Sequence, residues 1–287
     1  MLWHFLLETF VSELPPRVPE PVQIMDDIEQ AGAYAHEGEE QGFLAPLYLF
    51  HAIQASALIR PGDKVLDLAC GPGNQLYRHA RINPSAQFIG IDAAEAMLEL
   101  GRQKLAGQGV ENVELRIGLM PRLEGLEDAS MDVVICTMSL HHLADYAALE
   151  ASFEEMRRVL KPEGRIYIAD FGRLKRVQTQ RFLANQNRRQ PDVFRTDYLN
   201  SVRAAFSVEE LCGAARSAFG DALELKQTDA VPLFVVLLSR NREGLAGGQQ
   251  ASARRIYSKM SWAQRLAFRD MARFFRQGGF PLASNPW

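Results

Sequence analysis

Short apolar runs alternate with longer stretches of helical spacing through the middle of the chain. Lys64–Ala69, Gln87–Asp92, Val113–Ile117, Asp132–Thr137 and Arg165–Ala169 read as strands. Gln75–Ile82, Ala93–Ala106 and Ala148–Leu160 carry the i, i+3, i+4 apolar spacing of helices. Strands this uniformly apolar are covered on both faces, which points to a parallel sheet between helices. Right-handed crossovers then make an α/β, doubly wound topology the expectation.

The flanks have another rhythm. Pro15, Pro16, Pro19 and Pro21 forbid a continuous helix, so this segment reads as an extended linker. Helical spacing follows from Ile24 to Ile59, with a break expected at Pro46, and Pro61-Gly62-Asp63 forms a turn before the first strand. Ser207 with Glu210 is a capping box. Ala222–Thr228 and Leu233–Ser239 read as strands with no helix between them, which suits an antiparallel hairpin. Glycines at 244, 247 and 248 precede a last helical stretch, Ala251–Arg276. The organisation expected is an N-terminal helical segment (1–60), a central domain (61–240) and a basic amphipathic helical tail (241–287).

Composition narrows the function classes. The net charge of −3 over 287 residues argues against a general nucleic-acid-binding surface. Cys70, Cys136 and Cys212 are scattered and propose neither a disulfide framework nor a CxxC metal site; a cytoplasmic setting is expected. The apolar start, Met1–Leu7, is followed by Glu8 and Glu13 and lacks a basic leader region, so it is not read as a signal peptide. No apolar run approaches the roughly 18 residues of a membrane span.

The strongest chemical signal is Val65-Leu66-Asp67-Leu68-Ala69-Cys70-Gly71-Pro72-Gly73-Asn74, a strand entering a glycine turn and then a helix. Glycines there let backbone approach a ligand. A dinucleotide site would place a third glycine where Leu76 stands. Asp67, inside an apolar strand, needs a partner, and a cationic amino-acid moiety would supply one where pyrophosphate would not. Hydrogen bonding to loop amides is the plainer alternative. Asp92, at the end of the next strand, can accept hydrogen bonds from a ribose diol or can cap the following helix.

Asp67-Leu68-Ala69-Cys70-Gly71-Pro72-Gly73 followed by Gly90-Ile91-Asp92 resembles the first two motifs of class I S-adenosylmethionine-dependent methyltransferases. Arg158–Arg165 is similar to that family's turn before strand five, and the paired final strands to its antiparallel seventh strand. The resemblance covers about residues 60–240. It implies a Rossmann-like seven-stranded sheet and S-adenosyl-L-methionine as cofactor. Gly71 and Gly73 would meet the methionine part, Asp92 the ribose, and Met97 the adenosine. Tyr34, Ala69, Ala93 and Thr137 complete the expected set with Asp67. Where many relatives carry an acidic residue for adenine, this chain has Gly118-Leu119-Met120-Pro121. Backbone groups of Leu119 or Met120 would take over, their side chains packing on the purine.

Strand four ends in Cys136-Thr137-Met138-Ser139-Leu140-His141-His142. Ligands sit beyond strand ends in such sheets. His141 and His142 are therefore acid–base candidates, each with an alternative as a loop-orienting residue. Their side chains are expected to diverge, and metal binding by the pair alone is disfavoured. Asp170 is a further candidate for binding or deprotonating a substrate, with a salt bridge to Arg173 as its alternative. Tyr34, Phe43 and Tyr48 would form a lid, and ordinary packing competes for each. The insert 171–206 should line an acceptor pocket with Phe182, Phe194, Tyr198 and Phe206. Arg188, Arg189 and Arg195 hint at an anionic substrate, though solvated charge is preferred.

These features favour methylation of a small molecule at O, N or C. An RNA or protein methyltransferase is the rival, weakened by the lack of an Asn/Asp-Pro-Pro-Tyr/Phe motif. A cofactor-binding protein without methyl transfer is the other. Scattered cysteines disfavour arsenic methylation. The tail is expected to pack on its own domain or on a second copy of the chain, as is the N-terminal segment. Contact of the tail with nucleic acid or membrane is the less favoured reading.

Overall fold

The computed structural model describes residues 2–186, 190, 192–229, 231–240 and 242–287. Seven strands form one sheet: β1 (Lys64–Leu68), β2 (Gln87–Asp92), β3 (Val113–Ile117), β4 (Met131–Thr137), β5 (Leu160–Phe171), β6 (Leu223–Gln227) and β7 (Phe234–Ser239). Their order is β3-β2-β1-β4-β5-β7-β6, and β7 alone runs against its neighbours. The order reverses between β1 and β4, so a crevice opens above their C-terminal ends.

The helices are α1 (Leu2–Thr9), α2 (Ile28–Glu37), α3 (Ala45–Ser56), α4 (Asn74–Ile82), α5 (Glu95–Gly107), α6 (Tyr146–Val159), α7 (Val177–Ala184), α8 (Asp192–Ala204), α9 (Val208–Phe219), α10 (Gly247–Lys259) and α11 (Trp262–Gln277). On one face of the sheet α3, α4 and the tail bury Phe50, Phe268, Phe275 and Phe280; on the other α6 and α9 bury Phe153, Met156 and Leu211. Phe50 and Phe275 stack at 4.5 Å, which fastens the tail to α3.

Pro46 divides the helical stretch as expected: α2 ends at Glu37, and Pro46 lies in the first turn of α3, a position that tolerates a missing N–H. Two other boundaries depart further from the sequence expectation. β5 reaches back to Leu160, pairing with Met131 across an irregular register, where a turn was expected. The tail is two helices, because Ser261 caps a new one and Gln264 completes its capping box. The Ser207/Glu210 box is present as expected. Among the described residues no helix is long and apolar enough to cross a membrane.

Candidate functional site

The turn leaving β1 is built from left-handed residues. Ala69 and Gly71 both have φ of 53°, and Gly73 has 69°. A left-handed alanine costs about 1–2 kcal/mol. A Cβ on Gly71 would meet nothing within 4 Å, because this residue borders an open cavity. Gly73 instead caps α4 against Gly101, and is not among the residues lining that cavity.

The cavity measures about 400 Å³ and lies above the ends of β1 and β2. Ala69, Gly71, Asp92, Ala93 and Met97 line it, as do Leu119, Met120 and Tyr34. The Asp92 carboxylate accepts hydrogen bonds from the amides of Gly71 at 2.7 Å and Ala94 at 2.9 Å. It braces the glycine turn, and Ala94 rather than Asp92 is the helix cap. Burial raises its pKa, against the pull of those two amides. A carboxylate offers about four acceptor sites, so capacity remains for a ligand diol.

Asp67 and Thr137 are not among the lining residues. Asp67 is almost fully buried beneath the turn, and its Oδ2 has no hydrogen-bond partner. Burial, with the charge of Asp92 adding, pushes its carboxyl up to about 8.

After β4 the chain makes a single 3₁₀ turn, Leu140–His142, following a left-handed Met138. Asp170, at the end of β5, holds this turn. Its Oδ1 accepts from His141 Nδ1 at 2.6 Å, and its Oδ2 accepts the His141 backbone N–H at 3.0 Å. Burial opposes charge on both groups, but their mutual attraction wins: the His141 pKa is raised and that of Asp170 lowered. Arg173, the partner weighed for Asp170, pairs with Glu210 instead at 2.9 Å. The tight turn also overturns the expectation that the two histidines diverge, since their rings lie 4.4 Å apart.

The segment before α2 is a strap, not a spacer. Arg17 donates to the carbonyls of Ala204, Ala144, His141 and Leu143 and lies 4.0 Å above the Phe206 ring. Glu20 is buried, accepts from Ser201 Oγ at 2.7 Å, and places Oε2 2.5 Å from His142 Nδ1. Gln23, Ile24 and Met25 continue over the large cavity. Sequence reasoning missed these residues; their only signal was two charges set among prolines and valines.

A second chamber of about 50 Å³ adjoins the first and shares Tyr34, Met138 and His142 with it. Its walls include Leu44, Leu47, Phe171, Phe194 and Tyr198, and its polar groups are Asp197, Ser201 and both histidines. Of the expected lid, Tyr34 and Tyr48 meet hydroxyl to hydroxyl at 2.8 Å, while Phe43 is exposed, edge-on to Phe194. Of the insert's aromatics, Phe194 and Tyr198 line the chamber, whereas Phe182 stacks on His4 and Phe206 lies under Arg17. Arg195 is taken by Asp192 and Asn185; Arg188 and Arg189 lie outside the described residues.

Residues 59–209 match a family model described as a methyltransferase domain. The chain is 31% identical over 160 residues to a demethylmenaquinone methyltransferase of Symbiobacterium thermophilum, covering 55% of this chain and 57% of that protein. It is 30% identical over 188 residues to an arsenite methyltransferase of Halobacterium salinarum, covering 63% of this chain and 43% of that one. The chain thus spans less than two thirds of either curated relative. In fold it is similar to a SAM-dependent methyltransferase from Aquifex aeolicus, with a TM-score of 0.52 and 18% identity over 74% of this chain and 97% of that one.

Proposed function

Since the chain belongs to the methyltransferase-domain family, we propose that it transfers a methyl group from S-adenosyl-L-methionine to a small-molecule acceptor. The observation that carries this reading is the pairing of a large cavity over the glycine turn with a small chamber ending on two imidazoles.

The residues present fit the cofactor. Gly71 leaves open the space a side chain would fill. Asp92 keeps acceptor capacity for a ribose. The orphaned Oδ2 of Asp67 offers an acceptor beneath the turn, and an ammonium, reached through water because the carboxylate does not line the cavity, would draw this carboxyl into its charged form. Ile91, Met97, Leu119 and Met120 give the adenine an apolar slot. When bound, the cofactor supplies an electrophilic methyl on a sulfonium sulfur, which leaves as a neutral thioether.

The protein's part is alignment and exclusion of water, worth on the order of 7–11 kcal/mol in well-oriented cases. Tyr34 and Met138 stand between cavity and chamber. Phe171, Phe194 and Tyr198 grip an apolar or aromatic body. His141 and His142, oriented by Asp170 and Glu20, receive the acceptor's polar atom and stabilise its ionised form. An arsenical acceptor is not favoured, because among the described residues no three cysteines come together.

Titration calorimetry with S-adenosylmethionine and S-adenosylhomocysteine tests the first half. An acceptor screen that follows S-adenosylhomocysteine release tests the second. Absence of both heat and thermal shift with either nucleoside would end the proposal.

A further inference from the structure

Two buried carboxylate–imidazole contacts stand side by side here, and they are built differently. Asp170 and His141 form an aligned hydrogen bond at 2.6 Å. Glu20 Oε2 and His142 Nδ1 come as close, at 2.5 Å, yet Nδ1 has no aligned hydrogen bond. A third potential donor is adjacent: one ligand atom each from Glu20, His141 and His142 lies within 4.8 Å of the other two. This is the one such cluster of three His, Cys, Asp or Glu groups among the described residues.

From this convergence we propose that Glu20, His141 and His142 bind a divalent transition-metal ion of the zinc class at the floor of the acceptor chamber. The proposal rests on the methyltransferase reading above and says how the two histidines would act in it.

Two of the three donors, His141 and Glu20, already have the support that metal ligands carry. With Nδ1 of His141 held by Asp170, Nε2 is the free nitrogen, and a carboxylate behind a ligating imidazole fixes its tautomer and raises its basicity. Ser201 Oγ holds Oε1 of Glu20 and leaves Oε2 for the ion. Two imidazoles and one carboxylate suit zinc, cobalt or iron, and fit poorly the oxygen-seeking magnesium and calcium. Tetrahedral bonds of 2.0–2.1 Å set ligand atoms about 3.4 Å apart, so the Glu20–His142 contact must open and the wider spans close by small side-chain rotations.

Three protein ligands leave a fourth position. Both histidines line the acceptor chamber, so that position faces the acceptor. A ligand oxygen there would lose its proton more readily than in water. The apolar walls would then select a body carrying a hydroxyl, enol or similar oxygen. A simple ion pair accounts for the short Glu20–His142 contact but not for the third donor beside it.

The test uses the untagged full-length chain, stripped with a chelator and titrated with Co²⁺ by visible spectroscopy and with Zn²⁺ by calorimetry. One equivalent per chain is expected, with the intense visible bands of a low-coordinate cobalt site. Glu20→Gln and His142→Ala should each weaken binding by more than tenfold, and Asp170→Asn by about 10–100-fold as an outer partner. Should a variant fail to fold, the wild-type chain carries the test alone: Zn²⁺ should protect His142 from diethyl pyrocarbonate in peptide mapping. No saturable uptake, uptake indifferent to Glu20→Gln, or unprotected His142 would overturn the site. S-adenosylhomocysteine binding, measured on the same sample, separates the two proposals. Its retention without metal uptake overturns the cation alone; its loss overturns the methyltransferase reading.

Discussion

The carboxylate of Asp92 and the amide of Gly71 are joined at 2.7 Å, a bond that ties the end of β2 to the turn leaving β1. One side chain thus does two jobs. It holds the glycine turn in shape and offers its remaining acceptor sites to the large cavity. Asp92→Ala should weaken S-adenosylhomocysteine binding by about 10–100-fold, in line with ~1.5–3 kcal/mol for hydrogen bonds to a charged group. It should also lower Tm in the absence of ligand. Calorimetry and thermal melts read the two effects, and an unchanged affinity would remove the ribose assignment.

Asp67 gives a pH-dependent prediction. Its carboxyl titrates at about 8 in the folded chain, above the ordinary 3.8. The folded state therefore holds an extra proton between those values, and the stability associated with it falls as pH rises through that window. Asp67→Asn should raise Tm relative to wild type at pH 8–9 and leave it nearly unchanged at pH 4. If a ligand ammonium charges Asp67, binding at pH 7 releases close to one proton. Calorimetry in buffers of different ionisation enthalpy measures this release, and the Asn variant should lack it.

Arg17→Ala should loosen the strap. Four carbonyls lose a shared donor, and Phe206 loses its covering guanidinium. Faster amide exchange and proteolysis are expected across residues 10–27, with weaker acceptor binding. Arg17→Lys should fail to rescue, because an ammonium cannot reproduce a planar fork. Equal protection in wild type and variant would show that the strap is held by other contacts.

Phe275→Ala should destabilise the fold by about 3–5 kcal/mol, the usual range for a buried phenylalanine. That corresponds to a fall in Tm on the order of 10 °C for a chain of this size. The tail is stacked on Phe50 within the main core. Truncation after Gly248 should therefore cause loss of folded protein rather than a well-folded shorter domain, as seen by near-ultraviolet circular dichroism.

His141→Ala and His142→Ala should each lower turnover far more than affinity for S-adenosylhomocysteine. The kcat ratio in an acceptor assay, set against calorimetry, provides the comparison. Full turnover in both variants would move the chemistry elsewhere.

The sequence exposed whatever is local or periodic. The edges of β2 and β3 fall where the apolar runs place them. Asp92 was visible because a strand end beside a glycine turn has a defined place in a parallel sheet. Pairing across long separations was not legible. His141 and Asp170 were both candidates, but their contact depends on how β4 and β5 lie in register. Glu20 and Arg17 sit in a proline-rich stretch that has no period. No spacing rule relates residue 20 to residue 142, and only the folded path of the strap brings them together. The divergence expected of neighbouring histidines assumed extended backbone, and the 3₁₀ turn removed that assumption.

The strap also imposes an order on biosynthesis. Its anchor, Arg17, leaves the ribosome well before His141, Leu143 and Ala204, whose carbonyls it grips. Until those partners emerge, this polar and proline-rich stretch has nothing to close upon, and N-terminal segments are the first to be exposed during synthesis. The tail that completes the main core emerges later still, so cradle and roof are finished together, and chemical competence arrives only once the tail has been made.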